Sequence, residues 1–213
     1  MHLEQRRAAL AQSGRGHPQF AEILAESTQT VLEEAARLKK FATEFGNFAR
    51  LPRPVYERFD LTALARGLAM MRTNVAFEAP ATPLMISADR DQLTQVLHNL
   101  LDNAADAVAE AATAQDARIS LSLRLETGRA GGRADGTATT EQIVITVADN
   151  GQGLAADVRA LLFTPYVTTK GDRGGTGLGL AIVHRIVTEH GGVIAALEVP
   201  VGTELIGRVV NSL

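Results

Sequence analysis

Three segments in the second half of the chain carry residue types suited to a phosphate-bearing ligand: Asn99-Leu100-Leu101-Asp102-Asn103-Ala104, Asp149-Asn150-Gly151-Gln152-Gly153 and Gly175-Thr176-Gly177-Leu178-Gly179-Leu180. Asn99 and Asn103 are four residues apart, so on a helix both carboxamides share one face and can address the same phosphates or the same hydrated magnesium ion. Asp149 closes an apolar run and is followed by a flexible turn. The third segment opens a helix with bare backbone. Glycine lets the main chain come close to a ligand, and free N–H groups at a helix start attract anions. Each segment alone has an ordinary reading: solvent-facing amides on a helix, a tight turn, a loop before a helix. Together and in this order they describe a nucleotide site.

The elements that must position these residues are legible from periodicity. Asp89–Glu110 reads as a long amphipathic helix carrying both asparagines, and Leu178–His190 as the helix that the glycine segment opens. Ile119–Glu126 and Gln142–Ala148 alternate apolar and polar residues as half-buried strands do. Residues 127–136, rich in glycine and charge, join them as a flexible hairpin loop whose tip is expected to be disordered. Val75–Phe77, Leu84–Ser87, Val193–Val199 and Glu204–Val210 read as further strands, and Ala155–Leu162 as a short helix. Asp60 is expected to cap a helix over Leu61–Arg72, and Thr164–Gly175 to be irregular. Helices followed by alternating strands imply an α+β sandwich, helices on one face of a largely antiparallel sheet.

The first fifty residues differ in texture. Leu24, Val31, Leu38 and Phe45 fall seven apart, and Phe20, Phe41 and Phe48 form a second row interrupted by Ser27 and Glu34. This is the stripe of a bundle or coiled coil. Glu22, Glu26, Glu33, Glu34, Arg37, Lys39 and Lys40 lie on the solvated side. Leu51-Pro52-Arg53-Pro54 then ends the helix, because proline lacks a donor and restricts the residue before it, and a hinge is expected there. Ser13-Gly14-Arg15-Gly16-His17-Pro18 reads as a turn, so residues 2–12 are expected to be the tail of a preceding helix.

Composition narrows the function classes. With 213 residues, 46% of them hydrophobic, the chain is long enough for one ordinary domain plus a smaller element. A net charge of -3 without a basic run offers nucleic acid and anionic membranes no attraction. The absence of cysteine excludes disulfides and thiolate chemistry. No apolar stretch reaches the roughly 18 residues needed to cross a bilayer, and Met1–Arg7 is not a signal peptide. This chain is expected to be soluble and cytoplasmic, with no membrane contact of its own, whether or not a full-length parent is membrane-anchored.

The order Asn-box, Asp-x-Gly-x-Gly, Leu-Phe-x-Pro-Tyr-x-Thr-Thr-Lys, Gly-x-Gly-x-Gly-Leu and Gly202-Thr203 resembles the catalytic ATP-binding domain of sensor histidine kinases, in a superfamily shared with gyrase, heat-shock chaperone and mismatch-repair ATPases. Five motifs in order, over roughly residues 59–210, make the likeness specific. The helix of residues 20–49 followed by Phe-Ala-Arg-Leu-Pro resembles the second helix of a dimerisation and phosphotransfer domain, most like nitrogen-regulation kinases of the NtrY and NtrB kind. The resemblance implies a two-layer α/β sandwich over residues 60–213, a linker over 52–59, and a helical-hairpin remnant over 1–51.

It also implies roles. Asn103 would ligate Mg²⁺ and Asn99 hold the phosphates or the metal's water shell. Asp149 would accept from the adenine amino group, Gly151 and Gly153 would admit the base, and Thr203 would support the same edge. Residues 163–175 would be a lid from which Lys170 or Arg173 meets phosphate charge, and the backbone of Gly175, Thr176, Gly177, Leu178, Gly179 and Leu180 would cradle it. His98 is expected at the helix surface or just behind these contacts. Hydrolysing relatives carry Glu where Asn99 stands; an amide cannot take a proton at neutral pH, which favours transfer of the γ-phosphoryl to a protein nucleophile over hydrolysis. In the family that nucleophile is a His followed by an acid, and none of His2, His17, His98, His184 and His190 has that neighbour. The chain is therefore expected to begin just past the acceptor, to bind ATP and Mg²⁺, to pair as a homodimer through its N-terminal helices, and to serve a response regulator. A hydrolytic ATPase, a Ser kinase of the anti-sigma type and a nucleotide-holding interaction module are the alternatives.

Overall fold

The computed structural model describes residues 18–110, 118–129, 139–168, 175–199 and 202–209. The chain divides into two compact units, one ending at Ala49 and the other beginning at Arg50. The first unit is described from helix α1, Pro18–Ala49. Its seven-residue stripe is exposed in the single chain, including Leu24, Val31, Leu38 and Phe45, and Phe41 stacks on Phe45 with ring centroids 6.3 Å apart. Among the described residues nothing covers this stripe, although an amphipathic helix buries its apolar face. The expected preceding helix tail, residues 2–12, lies outside the described residues.

The second unit runs β1 (Glu57–Asp60), α2 (Leu61–Met70), β2 (Val75–Glu78), β3 (Met85–Ala88), α3 (Arg90–Glu110), β4 (Ile119–Arg129), β5 (Thr139–Asp149), α4 (Ala156–Ala160), α5 (Gly179–Glu189), β6 (Val193–Val199) and β7 (Gly202–Val209). Five strands form one sheet in the order β2-β4-β5-β7-β6. Its pairs are antiparallel except β2 with β4, in keeping with the largely antiparallel sheet expected. Strands β1 and β3 make a separate antiparallel ribbon. The core sets Leu61, Ala65 and Leu68 of α2, Leu93, Leu97, Leu100, Leu101 and Ala104 of α3, and Ile182 and Ile186 of α5 together with Ile119, Leu121 and Leu123 of β4 and Ile145 and Val147 of β5, all buried. At about 1.5–3 kcal/mol for each large side chain removed from water, this layer holds α3 firmly against the sheet.

Asp60 caps α2 as expected, its Oδ1 accepting the Thr62 N–H at 2.8 Å. Residues 57–59, inside the expected linker, form strand, because pairing with β3 satisfies their backbone. The hairpin strands are also longer than their alternation suggested, with β4 running on to Arg129. The tip of the expected loop, residues 130–138, lies outside the described residues.

The proline segment has no regular structure, but its far side is tied down. The Asp89 carboxylate accepts the Val55 N–H at 2.8 Å and the Gln92 N–H at 2.9 Å, and Gln92 Nε2 donates to the Pro52 carbonyl at 2.9 Å. His190, buried, accepts the Asp89 N–H through Nε2 at 3.0 Å. Its Nδ1 is 2.9 Å from the Ile186 carbonyl, which fixes the Nδ1–H tautomer. Tyr56 leans on the His190 ring and donates to the Glu189 carbonyl. Replacing Asp89 by Ala leaves two N–H groups without an acceptor, so unfolding should become easier by about 1–3 kcal/mol. Amide exchange at Val55 should quicken ahead of the core, as hydrogen-exchange NMR would record.

Candidate functional site

Helix α3 is the spine of the site. Asn99, Asn103 and Ala107 follow one another at four-residue steps and so form one stripe, about 12 Å long at 1.5 Å per residue. At one end Asn99 Nδ2 donates to the carbonyl of Gly179, the first residue of α5, at 3.2 Å. At the other end Gly151 lies directly on Ala107: a Cβ built on Gly151 would stand 2.6 Å from the Ala107 carbonyl carbon. The Asn-box, the acid-glycine turn and the glycine-led helix, far apart in sequence, therefore meet along a single helical stripe. Asn103 sits between the two ends, half-buried, and among the described residues its carboxamide has no hydrogen-bond partner.

Asp149 ends β5. One carboxylate oxygen accepts the Gly151 N–H at 2.9 Å, which folds the turn back on itself. Among the described residues the other oxygen accepts nothing. Asn150 secures the turn from behind, its Oδ1 accepting the Arg118 N–H at 2.7 Å. Burial pushes the Asp149 carboxyl above its ordinary value of 3.8, and the Gly151 N–H pulls it partly back. A carboxyl raised in the folded state lends stability that is complete below 3.8 and is lost as pH rises through the raised value. In nucleotide-free protein, Asp149→Asn should therefore raise the melting temperature at pH 7. The gap should close as the pH is lowered past the ordinary carboxylate range, a trend that thermal melts across pH would show.

Thr203 stands opposite Asp149 in the register of β5 and β7, so the two positions share one end of these neighbouring strands. Gly153 has φ +76°, a backbone that favours glycine. Gly177, at φ +66°, packs so tightly on Tyr166 that an added Cβ would be 2.6 Å from the Tyr166 carbonyl carbon, and its carbonyl accepts the Tyr166 N–H at 3.0 Å. Tyr166 itself holds φ +68°, a strained value for a side-chain-bearing residue. Thr176 Oγ1 accepts the Leu178 N–H at 3.3 Å. Gly175, Thr176, Gly179 and Leu180 are half-buried, whereas the Leu178 side chain is wholly in the core, which leaves only its main chain for a ligand. The first intrahelical bond of this stretch is Ile182 N–H to the Leu178 carbonyl, so the N–H groups of Gly179, Leu180 and Ala181 precede the helical ladder. Lys170 and Arg173 lie outside the described residues.

Two features of the site escape the motifs. Ala107 must be small where Gly151 rests, and its place one turn beyond Asn103 was the available signal. Arg72, at the end of α2, reaches α3: its Nη2 contacts His98 Nδ1 at 3.1 Å and Asp102 Oδ1 at 2.5 Å. His98 is thus held from the α2 side, away from Gly179.

A long helix carrying paired amides over an antiparallel sheet, with a glycine turn and a glycine-led helix at its two ends, defines a nucleotide-binding ATPase domain. The chain belongs to the family described as histidine kinase-, DNA gyrase B- and HSP90-like ATPases, which matches residues 88–209. Membership implies ATP binding, and the likenesses within the family are to sensor proteins and to histidine kinase catalytic domains. The chain is 37% identical over 194 residues to the nitrogen regulation protein NtrY of Azorhizobium caulinodans, covering 89% of this chain and 24% of that protein. It is 38% identical to the C4-dicarboxylate transport sensor protein DctB of Rhizobium meliloti, covering 85% and 27%. It thus spans about a quarter of the length of these relatives. Among solved structures, the catalytic domain of histidine kinase ThkA superposes with a TM-score of 0.58 at 26% identity, covering 74% of this chain and 96% of that one. Full-length ShkA, solved in complex with AMPPNP, superposes with a TM-score of 0.63 at 27% identity, covering 88% and 39%. Among the described residues no helix is long and apolar enough to cross a membrane.

Proposed function

We propose that this chain is the ATP-binding engine of a two-component sensor kinase, which passes the γ-phosphoryl of ATP to a histidine on a helical domain and from there to an aspartate of a response regulator. The observation that carries the reading is the stripe on α3, where Asn103 offers an amide unpartnered among the described residues, between two ends closed by bare glycine backbone. That donor set fits a hydrated magnesium ion on a triphosphate, since magnesium takes oxygen ligands and keeps several waters. When bound, the ion neutralises charge on the phosphates.

Asn103 supplies its carboxamide oxygen to the metal. Asn99, fixed by Gly179, holds the phosphates and cannot serve as a base for water. The N–H groups from Gly175 to Leu180 bind the phosphate oxygens, and Lys170 adds charge over them. Asp149 receives the adenine amino group, with Gly151 and Gly153 beneath the base and Thr203 beside it. Positioning and electrostatics then account for most of the rate, as is general for phosphoryl transfer. In this reading residues 1–51 belong to the dimerisation element, 52–59 link it, 60–213 bind nucleotide, and α1 pairs with a second copy through its exposed stripe.

The sequence has no His followed by an acid, so the acceptor is supplied separately in the test. The protein is incubated with γ-labelled ATP, magnesium and a histidine-bearing helical domain of a related kinase. Label on that domain, lost when its His is replaced, is the expected result. Release of inorganic phosphate alone would replace this reading with an ATPase, and bound nucleotide without either product would replace it with a nucleotide-holding module.

A further inference from the structure

We infer that Arg72 is a positioning residue for the magnesium-nucleotide site, an inference that rests on the roles proposed for Asn99 and Asn103. Arg72 belongs to no motif and lies just past α2. Its guanidinium is braced by the Leu68 carbonyl, 3.3 Å from Nη1, while Nη2 reaches His98 Nδ1 and Asp102 Oδ1 together. His98 and Asp102 are themselves four residues apart, and each immediately precedes one of the asparagines. They therefore form a stripe rotated by one residue, about 100°, from the Asn99–Asn103 stripe. Gripping the first stripe at two points fixes the roll of α3 about its own axis, and that roll aims the second.

The remaining contacts agree with this. Among the described residues the Asn99 side chain makes one hydrogen bond, 3.2 Å long, to Gly179, and Asn103 has no partner to correct a roll. The core contacts of α3 are apolar and non-directional, so they resist separation from the sheet better than rotation. A directional tie from Gln92 Nε2 to the Pro52 carbonyl lies about two turns before Asn99, and Arg72 supplies the directional restraint beside the asparagines themselves. It touches neither asparagine, and its guanidinium is mostly shielded while Asp102 is exposed, so its weight lies in geometry more than in net charge pairing.

The test separates aim from stability. Arg72→Met keeps the long stem but loses both contacts. Affinity for ATP with magnesium should fall about tenfold, since small misplacements of binding groups are costly, while affinity for adenosine with no metal, which reports the Asp149 end, should change by less than about twofold. The Asn99 side-chain amide signal in nucleotide-free NMR spectra should move, and Arg72→Lys, which can still reach one or both partners, should recover part of the loss. In an Asn103→Ala background Arg72→Met should add little to the loss, because the aimed group is gone. An equal fall for adenosine and magnesium-ATP, or an unmoved Asn99 signal with unchanged affinity, overturns the inference. If Asn103→Ala itself leaves magnesium-ATP affinity intact, the failure belongs to the proposed site and not to Arg72.

Discussion

Asn103→Ala should lower magnesium-dependent ATP affinity by roughly two powers of ten, about 3 kcal/mol, in calorimetric titration. The size follows from position: Asn103 is the one member of the amide pair with no protein partner among the described residues, so its carboxamide is free to take the ligand role proposed for it. The fold should be untouched, because the side chain is half-buried and holds no hydrogen bond that its removal would orphan. Melting temperature without nucleotide should match the parent, and titration without magnesium should show only a small loss. Asn99→Ala should differ in kind. It frees the Gly179 carbonyl and so loosens α5 against α3 as well as weakening phosphate binding. An Asn103→Ala protein that binds magnesium-ATP as tightly as the parent would remove the metal role assigned to this residue.

Gly151→Ala should damage fold and site together. The added Cβ would meet the Ala107 carbonyl carbon at 2.6 Å, its oxygen at 2.7 Å and its Cβ at 2.8 Å, and none of these atoms belongs to a flexible side-chain end. Helix α3 is locked in the core, so the end of β5 must move away, at a cost of about 1–3 kcal/mol as for other overpacked sites. Asp149, two residues earlier, moves with it, and ATP affinity should fall even at temperatures where the protein is fully folded. Gly67→Ala is the matching control. An added Cβ at Gly67 in α2 meets nothing within 4 Å, and a mid-helix glycine gives way to alanine with a gain of about 0.5–1 kcal/mol. Chemical denaturation of the two variants should thus move in opposite directions. A Gly151→Ala protein as stable as the parent would show that α3 and the β5 turn are not packed as described.

How far these features were legible in the sequence depends on the range of the forces that set them. Helices α1, α2, α3 and α5 were readable to within a residue or two, because a 3.6-residue period and a cap such as Asp60 of α2 are local signals. Strand β1 was not, since Glu57-Arg58-Phe59-Asp60 has little strand character until β3 pairs with it. The parallel β2–β4 pairing was equally hidden, because a strand's direction relative to its neighbour depends on where the chain returns. The proline segment illustrates the same limit. Prolines announced a break in α1, but nothing local announces that Asp89, Gln92 and His190 would hold the far side of that break.

The sequence by itself determined the ligand class, because amides at helical spacing, an acid before a glycine turn and a glycine-led helix are chemistry written in residue type and short spacing. It also determined that no residue of the Asn-box can act as a base at position 99. Only the tertiary structure decided that Gly151 rests on Ala107, that Asn99 reaches Gly179, that Thr203 lies beside Asp149 and that Arg72 grips the back of α3. These are contacts between residues tens of positions apart. Strand register and helix packing create them through the burial of a shared core, a non-local quantity that no short window of sequence contains.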